Sequence, residues 1–372
     1  MKIPDWVLAG FTFSGTVIGA GVLGLPYALS KPGFLIGSIE LISLGLLNLF
    51  LALLIGEISL RTKENHQMIG LAEKYLGKKG FYLMAISILL GFYGALLAYM
   101  QGCSDILFAL FSLPQTLGKI LLLLVLGTIV YFGLNALKFF EGLLVPLIII
   151  FILSLSALSF LDFNPQNLLY LNSKEAFYPV GVLLFAFAGA GIIPEIKEMI
   201  KRKKKLKKAI YLGMAIPIFL YFIFCLAVIG TLNGNITEIA TIGLGKKFGY
   251  LPLLFGNLFA LLAMATSFIS LATAIKRSYI EDFGFGKNLA FLLAISPCLL
   301  SFLNLATFIQ ILGITGNVTV SLFFILSILI FFRAKEKGER KPEFKIKLPK
   351  IAGYALILFF VLVLISTLFK FS

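Results

Sequence analysis

Gly15-Thr16-Val17-Ile18-Gly19-Ala20-Gly21-Val22-Leu23-Gly24-Leu25-Pro26 lies inside the first apolar stretch of the chain, and Phe185-Ala186-Phe187-Ala188-Gly189-Ala190-Gly191-Ile192-Ile193-Pro194-Glu195 lies inside the sixth. Each brings Gly-Ala-Gly and then Pro into a run otherwise apolar enough to cross a bilayer. In a continuous helix Gly costs about 1 kcal/mol and Pro about 3 kcal/mol relative to Ala. Backbone released from helix inside hydrocarbon survives only where it lines a protected cavity. Matching interruptions in the two halves of a polytopic chain point to the binding site of a transporter. A plainer reading stays open beside this one: glycines spaced as Gly15 and Gly19 also allow two helices to pack closely.

Composition sets the medium. The 372 residues are 60% hydrophobic and only 13% charged, with 38 Phe against one His. Mean hydropathy is +1.02, whereas a soluble domain is about 45–50% apolar. The chain reads as a polytopic membrane protein with almost no soluble part. Cys103, Cys225 and Cys298 fall in apolar stretches at no metal or disulfide spacing and read as small buried hydrophobes. His66 stands alone, so no metal site is expected. No cofactor is expected beyond a coupling ion. The first apolar stretch lacks a cleavage site and follows a single basic residue, Lys2, so it reads as the first span.

A helix needs about 20 apolar residues to cross the hydrocarbon. Windows of that size predict about 11 spans, near 5–30, 33–60, 80–112, 117–136, 139–161, 178–197, 208–232, 248–276, 288–303, 305–332 and 350–371. With the N-terminus inside, 26 of the 32 Lys and Arg fall on the cytoplasmic side. They are Lys2, the loop from Arg61 to Lys79, Lys138, the run from Lys197 to Lys208, the loop with Lys276, Arg277 and Lys287, and the stretch from Arg333 to Lys350. Lys31, Lys119, Lys174, Lys246, Lys247 and Lys370 remain outside. Cytoplasmic loops attract Lys and Arg, which predicts the N-terminus inside and the C-terminus outside a cytoplasmic membrane. The run Lys201-Arg202-Lys203-Lys204-Lys205-Leu206-Lys207-Lys208 abuts two spans. It therefore reads as a topology signal touching anionic lipid, and the net charge of +15 calls for no nucleic-acid partner.

The sixth span starts about 170 residues after the first. Five helices per half, an odd number, make the second half enter from the opposite side. This predicts one transmembrane domain over 1–372: an inverted repeat of about 5–161 and 178–332, with an extra helix near 350–371. Between the spans, Glu64–Lys78 predicts a short interfacial helix, Asn233–Lys247 a helical lid, Leu161–Phe177 a polar loop and Lys335–Lys350 a mobile connector. Nothing in the sequence sets an oligomeric state.

The first interruption resembles the first-helix signature of amino acid permeases, most closely the amino acid/auxin permease group with its prokaryotic aromatic amino acid permeases. Phe185-Ala186-Phe187 followed by Pro194-Glu195 resembles the sixth helix of that group, and Ala263-Met264-Ala265-Thr266-Ser267-Phe268 its eighth. The resemblance covers nearly the whole chain. It implies the LeuT-type fold of the amino acid–polyamine–organocation superfamily, an all-α architecture with helices one and six broken, and amino acid transport.

Under that implication the breaks have chemical work to do. Amides of Gly19, Ala20, Gly21 and Val22, at the positive end of a half-helix, would hold a substrate carboxylate. Carbonyls of Phe185, Ala186, Phe187 and Ala188, at the end of another, would hold its ammonium. Phe185 or Phe187 is a candidate to close over the ligand, and Tyr93 or Tyr99 to donate a hydroxyl to the carboxylate. The small residues at both breaks lean toward a large substrate side chain. For sodium, the resemblance implies Ala263, Thr266 and Ser267 with carbonyls near Val17 and Ala20, an oxygen set suited to a hard cation. Equally, Thr266 and Ser267 can bond back to their own helix. For protons, Glu40 and Glu195 lead, with Glu57 and Asp105 nearer the span ends. The prokaryotic aromatic permeases imply proton coupling. The spans show no H-E-x-x-H or G-x-S-x-G and the chain no nucleotide-binding loop, which argues against an enzyme or an ATP-driven pump. A symporter of another small organic or inorganic solute on the same fold is the alternative.

Overall fold

The computed structural model describes residues 4–132, 137–232, 234–281 and 284–369. Lys2, Asn233 and Lys370, which enter the charge and lid expectations, lie outside the described residues, as does the side chain of Lys138. Among the described residues the chain is helical without strands. In order the helices are α1 (Asp5–Val17), α2 (Leu25–Ser30), α3 (Phe34–Arg61), α4 (Met68–Phe111), α5 (Gln115–Phe132), α6 (Leu137–Phe160), α7 (Pro179–Ala186), α8 (Ile193–Met199), α9 (Leu206–Leu232), α10 (Ala240–Phe248), α11 (Tyr250–Glu281), α12 (Lys287–Ile295), α13 (Phe308–Thr315), α14 (Ser321–Lys337) and α15 (Lys350–Phe369).

Among the described residues, eight spans are long and apolar enough to cross a membrane, α1 with α2 forms a ninth bent by 50°, and Pro146–Phe160 and Lys287–Leu303 are shorter apolar helices. Nine of these coincide with predicted spans, and the two shorter helices lie where the fifth and ninth spans are expected. Boundaries shift where the backbone does something local. The interfacial helix expected over 64–78 is the first two turns of α4, set off from the span by Gly77 at φ 74°, a conformation glycine adopts without a Cβ clash. The tenth span runs on to Lys337 through a π turn at Gly316–Val320.

Surface chemistry agrees with a lipid medium. On α15, Ile351, Tyr354, Leu358, Leu362 and Ile365 are exposed at three- and four-residue spacing, while Phe360 and Val363 are buried. In water such a stripe would drive association; against acyl chains it is the ordinary outer face of a span.

Among the described residues the loops sort into two sets. At one end, the Lys201 amide donates to Asp5, the Lys197 ammonium to the Ser59 carbonyl, and the Glu339 and Arg340 amides to the Arg61 carbonyl. At the other, the Asn172 amide donates to Pro32, the Asn164 amide to Gly230, the Ile309 amide to Glu238, and Lys119 to Ser301 and Asn304. The first set holds the basic loops. The charge pattern demands this partition, because one span missed in the count would interchange the sets.

One expectation fails. The connector from 335 to 350 was expected to be mobile. Instead it folds as a strap against the end of α3. Ile346 N–H donates to Glu57 and the Lys63 N–H to Glu339, and Phe344 comes within 3.1 Å of where a Cβ on Gly56 would stand. Glu339 pairs with Lys74 of α4 and Arg340 with Glu343 within the strap, partners that composition alone does not reveal.

Candidate functional site

Helix α1 ends at Val17. Ile18 leaves helical geometry (φ −78°, ψ 88°) and Gly19 is extended. A 3-10 turn over Ala20–Gly24 then leads into α2. Helix α7 ends at Ala186, and after Phe187 to Gly189 a turn over Ala190–Ile192 leads into α8, with Pro194 in its first turn. The two breaks touch. A Cβ on Gly21 would stand 3.2 Å from the Phe185 ring and 3.3 Å from the Ala186 Cα, and one on Gly189 would stand 2.6 Å from Val17. The glycines are there because backbone crosses backbone.

An account of the peptide groups narrows the expected sets. The Ile18, Gly19 and Val22 amides donate to Ser14, Val17 and Gly19. The Ala20 and Gly21 amides have no acceptor among the described residues. They stand at the positive end of the turn that leads into α2. On the other side, the Phe185 carbonyl accepts from Ala188 N–H at 3.0 Å and the Ala186 carbonyl from the Tyr221 hydroxyl at 3.1 Å. The carbonyls of Phe187 and Ala188 accept nothing among the described residues. By the same account the Ile18 carbonyl and the Gly189, Ala190 and Gly191 amides have no partner among the described residues, so free donors and free acceptors remain on both breaks. Unpaired peptide groups inside a membrane protein are costly unless a ligand or water meets them.

Side chains around this junction depart from expectation at several points. Tyr99, not Tyr93, reaches it. The Tyr99 hydroxyl is 3.9 Å from where a Gly19 Cβ would be and faces Ser267. Tyr93 instead bonds the Tyr279 hydroxyl at 2.6 Å and the Leu293 carbonyl at 3.1 Å. Six residues turn a helix by about 240°, so the two tyrosines of α4 face different neighbours. Tyr99→Phe is expected to raise the KM for uptake roughly fivefold, the worth of about one hydrogen bond, while Tyr93→Phe stays within about twofold. A pair of uptake curves checks this.

Phe187 is likewise corrected. It is 1% exposed, its ring lies 5.2 Å from that of Tyr221, and its tip meets Gly45 of α3. It is core. Phe185, half-buried against Gly21, is the ring at the junction.

Of the oxygen set considered for sodium, the Val17 and Ala263 carbonyls are met by protein donors, whereas the Thr266 hydroxyl donates and keeps its lone pairs. The Val17 carbonyl accepts from the Tyr221 hydroxyl at 2.9 Å and the Gly19 amide at 2.9 Å. Thr266 bonds back to Leu262 at 2.9 Å and to Ala263 at 3.1 Å, and Ser267 faces Tyr99. Thr266 thus follows the local back-bonding reading. Ala20 stays at the break, in the turn that α11 packs against. Of the carboxylates, Glu195 is exposed on α8 and does not join the junction. Glu40 is half-buried on α3, in line with Leu44 and Leu47, and its buried Oε2 has no hydrogen-bond partner. Glu57 pairs with Arg61. Asp105 accepts from Gln101 and Gln115.

An open cavity of about 650 Å³, lined among others by Gln101, Asp105, Glu238, Lys246 and Gln310, sits on the side away from the basic loops. The end of α10 and the loop before it form one wall, and α10 also touches the Ala20–Gly24 turn. This is the position expected of the lid.

Sequence reasoning missed two contributors. One is Tyr221, although a tyrosine hydroxyl in the middle of a span was itself a signal. The other is the π turn of the tenth span. There a Cβ on Gly316 would fall 1.8 Å from the Gly181 carbonyl, and one on Gly181 would fall 2.2 Å from the Gly313 carbonyl. Helix α7 is thus seated by direct backbone contact.

The chain is similar to glutamine transporter 2 of Aliivibrio fischeri, at 27% identity with 95% of this chain and 96% of that one covered. It is similar to the tyrosine-specific transport system 1 of Haemophilus influenzae, at 27% identity with 94% and 92% covered. Among solved structures, that of MhsT in complex with L-phenylalanine superposes with a TM-score of 0.63 at 16% identity, covering 98% of this chain and 97% of that one. The fold is therefore LeuT-type. The model of the tryptophan/tyrosine permease family matches residues 2–367. With its broken helices, its two-ended loop pattern and that match in hand, the chain belongs to the tryptophan/tyrosine permease family, a family of multi-pass membrane transporters and not of enzymes.

Proposed function

We propose that this protein carries an amino acid across the cytoplasmic membrane, driven by the proton gradient, with alternating access around the crossed breaks of its first and sixth spans. One observation carries the reading: the free Ala20 and Gly21 amides and the free Phe187 and Ala188 carbonyls lie at one junction. Donors at a positive helix end suit a carboxylate, and carbonyls at a negative end suit an ammonium. The relatives are named for glutamine and tyrosine, and the structural neighbour holds phenylalanine. These share only the zwitterion, which is the part a backbone receptor would read. Tyr99 would add a hydroxyl at the carboxylate end, and Phe185 would cover the side chain.

Proton coupling is favoured over sodium because the Val17 carbonyl already accepts from the Tyr221 hydroxyl and the Gly19 amide. Glu40 is the intramembrane carboxylate we assign to the proton, since its buried oxygen is unpartnered. The basic loops support a reading with the N-terminus in the cytoplasm, in which the halves near 5–161 and 178–332 act as inverted repeats that rock against each other. Proteoliposomes with an acidic exterior are expected to accumulate radiolabelled L-tyrosine or L-glutamine without sodium, and Glu40→Gln is expected to abolish accumulation while sparing exchange. Accumulation under a sodium gradient alone would overturn the proton assignment. Failure of either probe, and of all other amino acids, to saturate uptake would overturn the substrate class.

A further inference from the structure

Two half-helices end at nearly the same point. The Val17 carbonyl belongs to the last turn of α1 and the Ala186 carbonyl to the last turn of α7. Each is the negative end of a helix dipole, and both converge on one atom, the Tyr221 hydroxyl oxygen, at 2.9 and 3.1 Å. Two inward-facing carbonyls at dipole ends are, by chemistry, the beginning of a cation site. Here the point is filled by the side chain of α9. Tyr221 is 0% exposed, and its ring is braced by Phe187. It bridges the breaks from outside the substrate junction, since both its acceptors are groups the ligand does not need.

We propose that the Tyr221 hydroxyl is a built-in replacement for a cation: a positioning residue whose O–H supplies the positive pole that ties the two breaks together, and whose bulk excludes a monovalent ion from that point. The inference rests partly on the transport reading above, because a tie between the two breaks matters most if they move. A hydroxyl has one proton to share between two carbonyls, so the tie is weaker than an ion would be and can be exchanged from one break to the other as the half-helices shift. This gives the two breaks a common hinge without an ion binding and leaving in each cycle.

Tyr221→Phe removes the oxygen and keeps the ring on Phe187. Both carbonyls then face a vacancy one oxygen wide at two dipole ends. The experiment is a thermal-unfolding series on purified full-length protein in 200 mM NaCl, LiCl or choline chloride. At about a hundredfold above a millimolar dissociation constant, such a site would be filled. The wild type is expected to show no difference between the salts. Tyr221→Phe is expected to melt lower in choline and to regain a few degrees, on the order of 3 °C, in sodium or lithium. In proteoliposomes the same variant is expected to lose about tenfold in the rate of L-tyrosine uptake in choline, with partial recovery in sodium. A variant that shows no response specific to the small cations, or a wild type that sodium stabilises equally, would overturn the proposal. The melting series needs no substrate. The cation response appearing in a protein that transports nothing would therefore remove the transport reading and leave this one standing.

Discussion

Gly21→Val is expected to lower amino acid uptake by at least about a hundredfold while the protein remains folded. The Gly21 backbone lies in the helical turn Ala20–Gly24, so no positive φ forbids a side chain. The obstacle is what a Cβ meets: the Phe185 ring at 3.2 Å, the Ala186 Cα at 3.3 Å and the Ala186 Cβ at 3.4 Å. Alanine asks these neighbours to give by a few tenths of an ångström. Valine adds two more methyl groups at the crossing of the breaks, an overpacking that costs about 1–3 kcal/mol. It also pushes the free Gly21 amide off its line to the substrate, and a misplacement of about 1 Å costs on the order of a hundredfold in rate. Gly21→Ala should fall between, at about tenfold. The control is the matching glycine of the second break. A Cβ on Gly191 meets nothing closer than the Phe323 ring at 3.9 Å, so Gly191→Ala should transport within about twofold of wild type. If Gly191→Ala lost as much as Gly21→Ala, the Gly-Ala-Gly pattern itself, and not the crossing geometry, would govern transport.

That contrast shows how much of the site the sequence carries. Both interruptions are legible, because Gly and Pro have no other reason to stand inside bilayer-length apolar runs. Their meeting is legible as well, through their equal rank in the two halves. The loop partition follows from Lys and Arg alone. What the sequence does not carry is which face of a helix a residue takes once the helix is packed. Tyr93 and Tyr99 are equivalent as letters and differ only in helical phase. Phe187 and Phe185 sit two residues apart at the end of α7, and one enters the core against Gly45 while the other stays at the junction. The hydroxyls of Thr266 and Ser267 fit an ion pattern by spacing, yet one donates within its own helix and the other faces Tyr99 of α4. Tyr221 belongs to a span with no break, so a search centred on breaks passes over it.

Glu57→Ala is expected to release the strap and open the end of the protein that carries the basic loops. Glu57 is 0% exposed. One carboxylate oxygen takes both Arg61 donors, at 2.8 and 2.7 Å, and the other takes the Ile346 amide. The Arg61 carbonyl in turn accepts the Glu339 and Arg340 amides at 2.9 and 3.2 Å, and Glu339 pairs with Lys74 at 2.7 Å. One buried carboxylate thus joins α3 to the segment between α14 and α15, and the same end of α3 holds α8 through Lys197 and Ser59. Helix α8 is the half of the sixth span that alternating access would move. Removing one partner of a buried ion pair costs about 3–5 kcal/mol. If that cost falls on the strap, its amides should exchange hydrogen at least about a hundredfold faster, Ile346 most of all. A thiol probe reads the same event: Cys103, Cys225 and Cys298 are buried, so labelling of an introduced Ser59→Cys reports the inner end against a quiet background and should rise in Glu57→Ala. Glu57→Gln keeps an acceptor for Ile346 but not the charge for Arg61, and should fall between. Unchanged strap exchange in Glu57→Ala would mean that Phe344 packed on Gly56 holds the strap by itself, and that the carboxylate serves only to neutralise Arg61.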